Sequence, residues 1–76
     1  MTLADLGIRQ KGVIVSINTS PDFKKKLMEL GLFPGQVVEI IQDAPFGGPL
    51  KIKVKDYCLA LRREEARGIE VKKIEE

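Results

Sequence analysis

Glycine and proline break this chain at short intervals: Gly7, Gly12, Gly31, Pro34-Gly35, Pro45, Gly47-Gly48-Pro49 and Gly68. The apolar runs between them are short. Short runs between closely spaced turn signals point to strands packed as a small β barrel or sandwich. The chain has 76 residues, so one domain over 1–76 is expected. At this size folding buries only about 60% of the surface the unfolded chain exposes, which makes for a small core.

Strand patterning is clearest from Leu50 to Lys55, where Leu50, Ile52 and Val54 alternate with Lys51, Lys53 and Lys55. A first strand is expected over Val13 to Ile17, with Val13, Val15 and Ile17 on one face. A second runs from Gln36 to Asp43, with Val38 and Ile40 together. Tyr57 to Leu61 pairs back after a tight turn at Asp56, with Leu59 and Leu61 inward. Arg63 to Ala66 reads as one helical turn, and Ile69 to about Lys73 as a last strand. Gly12 to Ile17 and Gly35 to Ile40 share the pattern Gly-x-apolar-Val-x-Ile, an echo too brief for a repeat protein.

One helix interrupts the strands. Ser20 can cap it, Pro21 suits its first position, and Asp22 favours the positive end of its dipole. It is expected to run from Pro21 to Leu30, with Phe23, Leu27 and Leu30 forming its apolar stripe and Gly31 ending it in a left-handed conformation. The expected architecture is therefore mainly β: an SH3-like barrel of about five strands with one α-helix between strands 1 and 2.

The same residues exclude much chemistry. With no histidine there is no imidazole base or ligand, and one cysteine makes no disulfide or thiolate cage. Carboxylate pairs at Glu64-Glu65 and Glu75-Glu76 read as solvated charge, so no metal, cofactor or catalytic residue is assigned. Gly47-Gly48 lacks the Gly-Lys-Ser/Thr ending of a phosphate loop and reads as a turn. Cys58 reads as a small buried hydrophobe. The N-terminus does not resemble a signal peptide and no stretch approaches a membrane span, which points to the cytoplasm. The net charge of +2 leaves electrostatic function to local clusters.

Several features do suggest a surface for a partner. Lys24, Lys25 and Lys26 flank the helix stripe and can meet either an acidic protein surface or anionic lipid, or simply face water. Phe46, between Pro45 and Gly47, can anchor an interface or fold back as a lid on the barrel, and the lid is the reading preferred here. Met28 and Phe33, with Leu32 as core, are further candidates. Lys51, Lys53 and Lys55 read first as a solvated, edge-protecting face.

Leu27-x-x-Leu30-Gly31-Leu32-x-Pro34-Gly35, then Val37-Val38, Ala44-Pro45-x-Gly47-x-Pro49-Leu50, Leu59-x-Leu61-Arg62, Glu65-Ala66 and Ile69-x-Val71 resemble the FeoA family. The likeness runs from about Gly12 to Val71. Where many members carry arginine, this chain has Lys24 to Lys26, which keeps the charge and loses bidentate geometry. The resemblance implies an SH3-like barrel that acts beside the membrane GTPase transporter FeoB in ferrous iron transport. It is expected to bind that transporter from the cytosolic side, as a non-enzyme, peripheral to the membrane at most, with self-association open. The alternatives are a barrel that binds nucleic acid along the Lys51–Lys53–Lys55 stripe or a regulatory domain. Aromatic residues are only 5% of the chain, too few for base stacking or a polyproline groove.

Overall fold

Leu50, Ile52 and Val54 are completely buried while Lys51 and Lys53 between them are exposed, as their alternation requires. This strand, β3 (Leu50–Val54), lies inside a five-stranded antiparallel sheet with β1 (Lys11–Ile17), β2 (Val37–Asp43), β4 (Tyr57–Leu61) and β5 (Ile69–Ile74). The strand order is β4-β3-β2-β1-β5. The computed structural model describes residues 1–75. The mainly β architecture with a helix between the first two strands agrees with the sequence reading.

Two irregularities bend the sheet around its core. The β1–β5 register shifts between Ile14 and Ser16, and the β2–β3 register between Ile40 and Gln42. A bulge inserts one residue, bends its strand and increases the local twist. The β1 bulge overturns the expected face assignment. Val13, Val15 and Ile17 do not share a buried face: Ile14 and Ile17 are in the core, and Val15 is 53% exposed. The extra residue resets the alternation, which unbroken apolar patterning does not reveal.

The helix α1 (Pro21–Glu29) starts as its sequence dictates, with the Ser20 hydroxyl accepting from the Phe23 backbone N–H at 3.3 Å. Ser20→Ala is expected to cost about 1 kcal/mol, read as a lowered Tm with unchanged near-native spectra. The helix ends one residue earlier than expected. Leu27 is fully buried and Phe23 packs against the core, but Leu30, in the capping position, is 41% exposed. Gly31 follows at φ +96°, and Leu32 beyond it is fully buried, as expected.

The segment before β1 also belongs to the core, which patterning did not indicate. A 3-10 turn over Leu3–Asp5 buries Leu3 and, just after it, Leu6. Asp5 holds the turn by accepting from the Thr2 backbone N–H at 2.8 Å. A second short helix, α2 (Arg63–Ala66), buries Ala66. Glu65 closes it by accepting from the Arg62 N–H at 2.8 Å. The Leu3 turn packs on α2 and β5, closing one end of the sheet.

Candidate docking surface

The connection between β2 and β3 is built to hold an aromatic ring away from the protein. Phe46 follows Pro45 and precedes Gly47, and its own backbone sits at φ 60°, in the left-handed region. The side chain is fully exposed. This corrects the lid reading: in this turn the ring points into solvent rather than onto the barrel end. The base of the loop is fixed from α2. The Arg63 guanidinium pairs with the Asp43 carboxylate and reaches the Ala44 carbonyl at 3.4 Å. A mobile loop would lose entropy on binding, whereas a held one presents its ring ready-made. Arg63→Ala is expected to lower stability by about 1 kcal/mol or less. It should also raise nanosecond mobility at Ala44, Phe46, Gly47 and Gly48 in 15N relaxation.

The remaining candidates lie elsewhere. Lys24, Lys25 and Met28, with Pro21 and Glu29, line one open, shallow groove on α1. Lys26 is exposed but does not line it. Met28 is 44% exposed, so the groove has an apolar floor and a basic rim. Phe33 is half-buried in the turn before Pro34. The C-terminal end of α1 sits at the β3–β4 turn, where the Tyr57 hydroxyl donates to the Leu30 carbonyl. The Phe46 loop lies at the opposite end of β3, beyond the Leu50–Leu61 pair. Five strand residues span roughly 14 Å. The candidates therefore fall in two separate regions, Lys24, Lys25, Lys26 and Met28 on α1 with Phe33 in the turn that follows it, and Phe46 alone at the β2–β3 loop.

Besides Val15, two residues that patterning assigns to the interior are on the surface. Leu30 is one. Cys58 is the other: it is exposed, because β4 presents Cys58 and Ala60 outward beside Lys53 and Lys51. The inward expectation holds for Leu61, which is buried, and partly for Leu59. Among the described residues no group of three or more histidine, cysteine, aspartate and glutamate side chains comes together. Glu76, of the pair Glu75-Glu76, lies outside the described residues. Also among the described residues, no helix is long and apolar enough to cross a membrane.

Comparison with known proteins gives this surface a context. A family profile described as the FeoA domain matches residues 1–73. A Porphyromonas gingivalis protein, described as an Fe(2+) transport protein A/Fe(2+) transporter FeoB fusion, is 35% identical over 74 residues. That match takes in 97% of this chain and only 9% of the fusion protein. The solution structure of a FeoA protein from Chlorobium tepidum superposes with a TM-score of 0.92 at 31% identity, covering 99% of this chain and 71% of that one. The structure of Stenotrophomonas maltophilia FeoA complexed with zinc, described as an SH3 domain protein, has a TM-score of 0.82 at 33% identity. It covers 95% of this chain and 89% of the other.

Proposed function

The chain belongs to the FeoA domain family, a family of small accessory proteins of ferrous iron transport and not of enzymes; from that premise we propose that it docks on the cytosolic part of a FeoB-type membrane GTPase transporter, with Phe46 as the anchor. The observation that carries this reading is the Phe46 ring, fully exposed on a strained turn that Arg63 holds in place. A single exposed apolar side chain is common on a protein surface, but a ring held out on a fixed turn has the large, pre-organised contact area typical of residues that dominate binding energy. The fused arrangement of the Porphyromonas gingivalis relative supports the choice of partner, since fusion places the two activities on one chain.

The lysines of α1 take a different part. Lys24 and Lys25 are solvated, and solvated charge contributes to encounter rate more than to final affinity. They steer the protein toward an acidic surface or toward the anionic lipid beside the transporter. Lys26, exposed on the same helix, adds to that field, while Met28 and Phe33 form a secondary contact. The test is titration of the 15N-labelled protein with the transporter's cytosolic GTPase region, with and without guanine nucleotide. The amides of Ala44, Phe46, Gly47 and Gly48 are expected to shift first. Shifts confined to α1 would refute Phe46 as the anchor, and the absence of binding at tens of micromolar would refute the partner.

A further inference from the structure

The sheet has two outer strands, and they are treated differently. The free edge of β5 is covered by the N-terminal segment: the Val71 N–H donates to the Met1 carbonyl at 2.9 Å, and Thr2 bridges Glu70. Met1 is further tied down by its ammonium group, 3.0 Å from the Glu70 carboxylate. On the other side β4 pairs with β3 alone, in a regular register from Val54–Tyr57 to Leu50–Leu61. Proteins usually blunt such an edge with charge, proline or a bulge. The sequence of β4, Tyr57-Cys58-Leu59-Ala60-Leu61, contains no charged residue and no proline, and its register contains no bulge.

The direction of its backbone groups follows from the hairpin. A two-residue turn, Lys55-Asp56, makes Val54 and Tyr57 a hydrogen-bonded pair. Antiparallel pairing then alternates, so Ile52–Leu59 and Leu50–Leu61 are bonded while Lys53–Cys58 and Lys51–Ala60 are not. The N–H and C=O groups of Cys58 and Ala60 therefore point away from β3, along the open edge.

Side chains on the outer face define what fits there. Cys58 and Ala60 are small and exposed, and Lys53 and Lys51 stand directly beside them on β3. A strand added to β4 would lie roughly 9.6 Å from β3, two strand spacings. The long lysine stems can cross above the small residues and meet carboxylates on the added strand. Lys53 already faces Glu39 on β2, but Lys51 and Lys55 stand on the same stripe and leave it positive. On the inner face, the added strand would meet the partly buried Leu59. Gln42, Ala44, Pro49, Lys51, Cys58 and Ala60 frame a recess beside this edge.

We propose that β4 is an acceptor edge for an extended peptide segment that alternates acidic and apolar residues, added antiparallel as a sixth strand. Strand addition draws affinity from main-chain hydrogen bonds and specificity from alternate side chains. A second copy of this chain is a poor occupant, because its β4 edge, Tyr57-Cys58-Leu59-Ala60-Leu61, has no carboxylate to meet Lys51 and Lys53. The proposal stands apart from the Phe46 reading and is tested without the transporter.

The probe is a blocked heptapeptide alternating glutamate and valine, titrated into the 15N-labelled chain. Exchange of the Cys58 and Ala60 amides with solvent is expected to slow at least tenfold on binding. In antiparallel pairing, residues opposite Cys58 and Ala60 carry outer-face side chains, so their N–H groups belong to the glutamates. N-methylation of the glutamate nitrogens is expected to weaken binding about tenfold or more, the equivalent of one lost hydrogen bond. N-methylation of the valines should leave it nearly unchanged. These variants leave the protein untouched, so misfolding cannot mimic the result. Equal binding of all three peptides, equal binding of a lysine–valine analogue, or protection that depends on protein concentration alone would each overturn the assignment.

Discussion

Gly31→Ala is expected to lower stability by about 2–3 kcal/mol, a large loss for adding a single methyl group. Two costs combine. Gly31 sits at φ +96°, where a residue with a Cβ loses about 1–2 kcal/mol relative to glycine. In addition, the new Cβ would fall on the Tyr57 hydroxyl, which donates to the Leu30 carbonyl and ties the β3–β4 turn to the end of α1. Moving the ring breaks that bond, worth about 0.5–1.5 kcal/mol. For a chain of this size each kcal/mol lowers Tm by about 4–8 °C, so a fall on the order of 10–20 °C is expected. A double-mutant cycle separates the two costs. Tyr57→Phe alone should lose only the hydrogen bond. With phenylalanine at 57, the atom nearest the new Cβ becomes the ring carbon at 3.4 Å, an ordinary contact. Gly31→Ala should then cost less than in the native background, and equal costs in both backgrounds would show that the hydroxyl contact is irrelevant.

Gly31 also marks how far this fold can be read from residues alone. The glycine after an apolar helical stripe signals a left-handed stop, and the structure has one there. The position of the stop to within one residue decides whether Leu30 faces the core or solvent, and propensity does not carry that precision. The Leu50–Lys55 alternation is legible because no bulge interrupts β3–β4. The same reasoning misassigns Val15 because a bulge leaves the composition of its strand unchanged. Leu3 and Leu6 enter the core through a short turn whose apolar residues have no helical or strand period.

The candidate surface was legible in a different way. Pro45 and Gly47 place Phe46 on a turn, but the local sequence does not say whether the ring folds inward or outward, which the three-dimensional course of the loop settles as outward. Cys58 was misplaced because cysteine is usually buried, a composition rule that yields to the register of an edge strand. The separation of the α1 lysines from Phe46 is a matter of which end of β3 each element joins. No local pattern contains it, since it depends on long-range strand pairing.

Phe46 gives a test in which stability and binding move in opposite directions. Its φ of 60° is costly for a side-chain-bearing residue and free for glycine. Phe46→Gly is therefore expected to stabilise the protein by about 0.5–1 kcal/mol after the larger backbone entropy of glycine is set against the relieved strain. The same change removes the anchor, and affinity for the transporter's cytosolic GTPase region is expected to fall by about thirtyfold, or 2 kcal/mol. Phe46→Ala keeps the strained turn without the ring and should lose the affinity with little change in Tm. If the ring were only an accident of the turn, both variants would bind like the native chain and only the stability effect would remain. Charge reversal at Lys24 and Lys25 provides the contrast: it should slow association and flatten its salt dependence while leaving dissociation nearly constant. A protein that docks through Phe46 and is steered by α1 must show both behaviours.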